Sequence, residues 1–359
     1  MDPQPTFCPI LECPSSGLEN VGNLRPHDSL KNRWRCLHCG KTFTGTKGTP
    51  FYRLKTDKKI VMDVLSLLAG GCPMQAIVAT FGLDERTVSH WQKLGGDHCQ
   101  KVHEEIVQQP QELTLVQADE IRVKIQGLIV WLAMAICPQS RLWLGAEVSK
   151  HRDKNLARNI ANKIKSCCKQ GVLVVTDGWP AYKDAFRKAF REAVETGKRG
   201  RPELVALPGF ALVQTVKWVV SGYVIGIKVC HCAGNMSVIK KCLSNNQLAS
   251  TAYMERLNAT FRQRLAGLCR RSRCLFRTEK ALTSGVYLVG TVYNFCTAHS
   301  SLRTKTEYRT PAMAAGLTTH IWSVGELLCY HIAPPPYEMP KKRGRKPKKS
   351  EAEPGGTTK

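Results

Sequence analysis

The sequence predicts an α/β protein built in successive parts, and three observations carry that expectation. A Cys-, Pro- and Gly-rich stretch over residues 1–50 gives way to short amphipathic helices over residues 57–106. Strand-like and helix-like runs then alternate over residues 112–330. Within them Val172-Leu-Val-Val-Thr176 is a continuous apolar run, typical of a strand buried on both faces. Residues 334–359 are a Pro- and Lys-rich tail whose composition predicts disorder. A length of 359 residues suggests two or three domains, and 43% hydrophobic residues suffice for a sizeable core.

Lys and Arg number 53 against 28 Asp and Glu, a formal net charge of +25. That balance favours a polyanionic partner, because each phosphate neutralised releases condensed counterions. Nucleic acid is the leading class and an anionic membrane surface the weaker one. The N-terminus MDPQPTFCPI lacks the basic and apolar regions of a secretory signal. The longest apolar run, Gly127 to Cys137, is too short to span a bilayer and stops at Pro138. The chain therefore reads as soluble and intracellular, with no membrane partner. Its 16 cysteines are then not a disulfide framework; some should bind metal and the rest serve as small apolar residues.

The first region carries Cys8-x4-Cys13 and Cys36-x2-Cys39. Two close pairs separated by a loop suit tetrahedral zinc, since each pair sits on a tight knuckle and the loop lets the knuckles face each other. Gly40 suits the knuckle turn, and Phe7, Trp34 and Phe43 can supply the small core around the metal. A segment this short has no other core to rely on. The expectation is a small zinc ribbon with a structural Zn2+.

The second region predicts an all-α helix-turn-helix. Lys58 to Ala69 carries Ile60, Val61, Val64, Leu65 and Leu68 on one side. Met74 to Phe81 is a second helix ended by Gly82, and Asp84 caps a third with Val88 and Trp91 buried. The Ala76, Gly82, Val88 spacing fits a helix, tight turn and recognition helix. Arg86, Thr87, Ser89, His90 and Gln92 are then placed to reach DNA. A plain three-helix packing unit is the structural alternative.

Three acids stand out in the third region. Asp119 ends the strand-like run Leu113-Thr-Leu-Val-Gln-Ala118, and two more such runs follow, Val123 to Ile136 and Leu142 to Val148. An amphipathic helix near Asn155–Cys168 precedes the buried run, with Asp177 at its carboxyl end and Gly178 for the turn. Three antiparallel-type strands, a helix and a buried strand ending in Asp is the order of an RNase H-like fold, and functional groups of such sheets collect at the carboxyl ends of central strands. Ala249 to Arg264 reads as a helix with Glu255, Asn258 and Arg262 on one face and Leu257, Phe261 and Leu265 on the opposite stripe. Two strand-borne Asp residues completed by a helical Glu offer the hard oxygen ligands that Mg2+ or Mn2+ prefers. Two such ions can drive in-line displacement at phosphorus. Glu120 is a rival to Asp119, since strand alternation turns neighbours to opposite faces. Glu255 can also be read as a surface residue paired with Arg256 or Arg262.

The stretch Thr176-Asp-Gly-Trp-Pro-Ala-Tyr182 and the helix Tyr253-Met-Glu-Arg-Leu-Asn-Ala-Thr-Phe-Arg-Gln-Arg-Leu265 resemble the signatures of DDE-type insertion-sequence transposases. The likeness is to the small bacterial families that set a zinc-binding segment and a helix-turn-helix before the catalytic domain. Asp119-Glu120 corresponds to the first acidic motif, with Ile121-Arg122 where an aromatic often follows. Tyr293-Asn-Phe-Cys-Thr-Ala-His299 and Thr310-Pro-Ala-Met-Ala-Ala-Gly316 are similar to the C-terminal end of such enzymes, so the resemblance covers roughly residues 8–330. It implies metal-dependent catalysis by Asp119, Asp177 and Glu255, with Asn258 and Arg262 beside them on DNA. It further implies cleavage and strand transfer at element ends, double-stranded DNA as partner for ends and target, a homo-oligomer on DNA, and a bacterial cytoplasmic, nucleoid-associated location. The gap from Asp177 to Glu255 holds the strand-like Leu212 to Val229, which has no assigned place and reads as a possible insertion.

Downstream, Arg262, Arg264, Arg270, Arg271, Arg273 and Arg277 make a basic run suited to strand phosphates. The tail Lys341-Lys-Arg-Gly-Arg-Lys-Pro-Lys-Lys349 resembles an AT-hook, with Arg343 and Arg345 flanking a glycine that can sit deep in a narrow A·T minor groove. A generic basic tail is the alternative. Two other functions share these features: a DNA-binding regulator with an inactive RNase H-like domain, and a structure-specific nuclease of the same fold.

Overall fold

Antiparallel strands wrap the cysteine-rich segment in the computed structural model, which describes residues 5–194, 202–243 and 249–337. Arg343 and Arg345 lie outside the described residues. The described residues separate into two units, 5–45 with 333–337, and Thr46–Ile332. In the first, β1 (Leu24–Asp28), β2 (Arg33–Cys36) and β3 (Thr42–Thr44) form an antiparallel sheet in that order. Cys8, Cys13, Cys36 and Phe43 make its small buried core, with Trp34 packed against it.

The second unit begins with three helices. α1 (Lys58–Gly70) is capped by Asp57, whose side chain accepts the Lys59 amide. α2 (Met74–Phe81) ends at Gly82, where φ of 62° suits a residue without Cβ. Asp84 then accepts the Arg86 amide at 2.7 Å and starts α3 (Glu85–Ile106). Val88 and Trp91 are buried as the spacing predicts. α3 runs on well past a short recognition helix. Its second half packs on a later helix, α8 (Glu279–Phe295), through Gly96, where a Cβ would fall 2.1 Å from the Ser284 carbonyl oxygen.

The sheet follows. β4 (Leu115–Ile125), β5 (Leu128–Cys137) and β6 (Leu142–Ser149) form an antiparallel meander. α4 (Lys154–Ser166) leads to β7 (Leu173–Asp177), and α5 (Pro180–Ala189) to a small hairpin of β8 (Arg191–Val194) and β9 (Glu203–Ala206). β10 (Ala211–Val220) and β11 (Tyr223–Gly234) come next, then α6 (Met236–Cys242), α7 (Ala252–Arg264), α8 (Glu279–Phe295), α9 (Pro311–Ala314) and α10 (Val324–Cys329). The six-stranded order is β11-β10-β7-β4-β5-β6, with β7 parallel to β4 and β10 parallel to β7. α4 and α5 cover one face through Leu156, Ile160, Tyr182 and Phe186, in a core shared with Val64, Leu65 and Trp91 of the first helices. α7 and one side of α8 cover the other, through Leu257, Phe261 and Tyr287 on Ile121, Val123 and Leu132. Among the described residues no helix is long and apolar enough to cross a membrane.

Three sequence expectations change. Asp119 does not end its strand: β4 continues to Ile125, because Ile121, Val123 and Ile125 point into the core while Arg122 and Lys124 point out, and the hairpin turns at Gln126–Gly127 instead. The Glu255 helix starts at Ala252, not Ala249. Leu212 to Val229 is no detached insertion, since Ala211–Thr215 pairs with β7 inside the sheet. Beyond Thr215, among the described residues, β10 pairs with its hairpin partner alone, and the ribbon projects with Trp218 63% and Tyr223 78% exposed.

The Gly96 contact gives a stability test. Gly96→Leu should cost roughly 1–3 kcal/mol or more, because backbone rather than a flexible side chain blocks the new group. Gly70→Ala, with open space around its Cβ, should be neutral or stabilising. Urea unfolding of both variants reads the difference.

Candidate metal centre

The parallel pairing of β7 with β4 sets Ala118 opposite Thr176. The next residues, Asp119 and Asp177, therefore lie side by side on the same face, on strands about 4.8 Å apart. Asp177 is fixed by its turn: its Oδ1 accepts the Trp179 amide at 3.1 Å. The buried Gln214 of β10 donates Nε2 to the carbonyls of Asp177 (2.8 Å) and Trp179 (2.9 Å). β10, unplaced from sequence, is thus what holds the end of β7.

α7 is docked on the same face by two bonds to β4. The Met254 amide donates to Gln117 Oε1 at 3.0 Å, and Asn258 Nδ2 donates to Asp119 Oδ2 at 3.0 Å. Glu255, one turn before Asn258, is exposed and its charge reaches Asp119. Asp119, Glu255, Asn258 and Arg262 line a groove of about 1100 Å³, whose other walls include Arg122, Lys124, Lys217, Arg270 and Arg271.

Glu120 faces the other way. The fully buried Tyr182 hydroxyl donates to its Oε2 at 2.6 Å, and Arg152 donates Nε to its Oε1 at 2.7 Å, with a second contact from Nη2. Arg152 lies over the rings of Trp131 (5.2 Å) and Trp179 (4.7 Å) and reaches Asp177 Oδ2 at 3.7 Å. Carboxylate oxygens of Asp119, Glu120 and Asp177 come within 4.8 Å of one another, a group able to hold a metal ion. Both rivals for the first acid are therefore close to Asp177. Asp119 is the one turned toward α7, whereas both oxygens of Glu120 already have partners. Glu255 stands outside this tight group, at the groove wall.

Burial pushes the Asp119 carboxyl up to about 6, reinforced by Asp177 and Glu255 and opposed by the Glu120 amide and Asn258. Burial likewise pushes Glu120 up to about 7, with Tyr182 and Arg152 pulling it back. Asn258 Oδ1 is buried with no hydrogen-bond partner beside Asp119. An orphaned carbonyl oxygen among carboxylates is a donor set that fits a hard cation such as Mg2+ or Mn2+.

A second group able to hold a metal ion is Cys8, Cys13, Cys36 and Cys39. Sγ–Sγ separations are 3.9 Å for Cys8–Cys39 and 3.7 Å for Cys13–Cys36. Tetrahedral thiolates around zinc would stand about 3.8 Å apart, given Zn–S bonds of about 2.3 Å. Burial opposes ionisation of Cys36, yet the Cys39 and His38 amides and neighbouring thiols bring it down to about 7. Asn23 Nδ2 also donates to its sulfur at 3.3 Å.

Of the other candidates, Arg86 and His90 are exposed on the first half of α3, and Thr87 and Gln92 are half-buried there. Arg152 and Tyr182 had no role in the sequence reading, although Tyr182 closes the motif around Asp177. Their partner Glu120 is 32 and 62 residues away, beyond any local pattern. No family model and no curated protein matches the chain.

The raised carboxyls set a pH dependence. Between about pH 4 and pH 7 the folded protein keeps protons that the unfolded chain has released, so this contribution is complete at low pH and lost as pH rises through 6 and 7. The thermal midpoint of Asp119→Asn without added divalent ions should therefore gain on that of wild type as pH climbs from about 5 to about 8. Parallel pH profiles for the two proteins would mean that Asp119 titrates as an ordinary surface carboxyl.

Proposed function

We propose that the chain is a DNA transposase whose Thr46–Ile332 unit contains an RNase H-like catalytic fold acting with Mg2+ or Mn2+. The observation that carries this reading is the register of β7 on β4, which sets Asp119 beside Asp177 under a helix bearing Glu255. The order β10-β7-β4-β5-β6, a meander extended by two parallel strands, supports the fold. Asp119, Asp177 and Glu255 would hold the metal, with Asn258 as an additional oxygen donor. Bound divalent ions supply an activated water or 3′-hydroxyl and neutralise the leaving oxygen at phosphorus. The chain supplies the rest. Asn258 orients Asp119 through its amide, and Arg152, held by Glu120 and the Trp131 and Trp179 rings, tempers the negative charge at Asp177. Arg262, Arg270 and Lys217 give the groove cations for strand phosphates.

In the same reading, Arg86, Thr87, His90 and Gln92 on α3 contact the element ends, Arg343 and Arg345 add minor-groove contacts, and the protein works as a homo-oligomer on double-stranded DNA. The four cysteines hold a structural Zn2+.

DNA carrying the sequences that flank the gene, incubated with purified protein and Mn2+, should be nicked at the element ends and joined to a target. Asp177→Asn should lower the cleavage rate by on the order of a thousandfold, the loss of several kcal/mol of charge stabilisation. Binding without any cleavage by wild type would favour a regulator, and cleavage without joining a nuclease.

Elemental analysis of purified protein should find about one zinc per chain. Cys36→Ser should remove it while leaving the Thr46–Ile332 unit folded by hydrogen exchange, and an unchanged zinc content would sink the ribbon assignment.

A further inference from the structure

α7 divides two environments. At about 100° per residue, Glu255, Asn258 and Arg262 face the acid groove, while Tyr253, Arg256 and Arg264 fall on a stripe roughly half a turn away. Three arginines gather on that far side. Arg141, in the β5–β6 turn, has φ of 60°, a conformation unusual for a residue with a side chain. Its guanidinium lies 3.9 Å over the Tyr253 ring and donates Nη2 to the Tyr253 hydroxyl at 3.2 Å. Arg256 lies 5.9 Å over the same ring. Arg264 is half-buried and donates Nη1 to Thr297 Oγ1 at 3.3 Å. All three charges bear on Tyr293, which stacks edge-on against His299 at 4.6 Å.

No acid balances this cluster. Among the described residues the arginines with a carboxylate within 4.0 Å are Arg152, Arg277 and Arg309, none of them here. Holding a guanidinium half out of water beside like charges is unfavourable unless an anion joins it. Burial together with Arg264 and Arg141 keeps His299 neutral, down to about 4, and among the described residues its buried Nε2 has no hydrogen-bond partner. That nitrogen is a further polar contact for a bound group.

We propose that Arg141, Arg256 and Arg264 form a phosphate-binding site, distinct from the acid groove, on the opposite side of α7. Planar guanidinium forks match the oxygens of a phosphate, and several forks around one anion need no carboxylate partner. The phosphate can belong to a nucleic-acid backbone or be free. The site does not depend on whether the groove cuts DNA, because it uses none of the groove's residues.

The test is binding of a duplex oligonucleotide without divalent ions, by fluorescence anisotropy over a series of chloride concentrations. Arg141→Gln with Arg264→Gln should weaken binding and lower the slope of log K against log salt by about 1, the one phosphate contact of the site. Should the double arginine variant fail to fold, the exposed Arg256→Gln serves instead, with weaker binding and a slope lowered in the same direction by up to about 1. Competition separates the sources. Inorganic phosphate that displaces DNA more than chloride of matched ionic strength, in wild type but not in the arginine variants, assigns the site to free phosphate. Equal displacement together with the slope change assigns it to the strand backbone. Folded arginine variants with wild-type slope and no phosphate-specific competition would overturn the proposal.

Discussion

Hydrogen bonds between the backbones of β4 and β7 bring two carboxylates together that would repel each other in isolation. The pairing is driven by neither acid. It follows from the apolar run ahead of Asp177, which buries Leu173, Val174 and Val175 between helices on both faces of the sheet. Once that register is set, Asp119 and Asp177 have no freedom to separate, and the surrounding structure must absorb their charge. Asn258 does so with an amide on Asp119, and Arg152 with a guanidinium shared between Glu120 and Asp177. The position of α7 is a further consequence, since both of its polar anchors, Gln117 and Asp119, lie on the same strand face.

What the sequence made legible was local. Gly82 and Asp84 punctuate α2 and α3 because the left-handed turn and the side-chain cap are properties of single residues. The two cysteine pairs were readable from spacing, and Asp177 from the run before it. The extent of β4 was legible too, in the strict alternation from Ile121 to Ile125, but two neighbouring acids in the middle of a strand look like its end. Glu120 exposes the limit of local reading. Its burial is tolerable only because Tyr182 and Arg152 arrive from α5 and the loop before α4, and no periodicity announces such a meeting. β10 was obscured for another reason: its inner half is ordinary buried strand, while its outer half is equally apolar and has no helix over it, so the apolar run carries no mark of where the sheet stops.

The two groups able to hold metal ions contrast in how they relate to their surroundings. Cys8, Cys13 and Cys36 make up, with Phe43, the small buried core of their unit, and Cys39 packs against it, so a metal held there would bear directly on the fold. The acids lie against a sheet already held together by large apolar clusters. A metal held by them would have little consequence for the architecture around it.

The unbroken length of α3 carries a geometric consequence. Its exposed first turns and its buried last turns belong to one rod of about 33 Å, clamped where Gly96 lies against Ser284. Because Ser284 belongs to α8, and α8 shares a core with α7, a side chain at Arg86 or His90 keeps a fixed phase angle to the acids. Adding a single residue between His90 and Gly95 would swing that face by about 100° and carry Val88 out of the core with it. Whatever meets the first turns of α3 is thereby indexed to the groove, as a tooth is to its wheel, by helical pitch rather than by a joint.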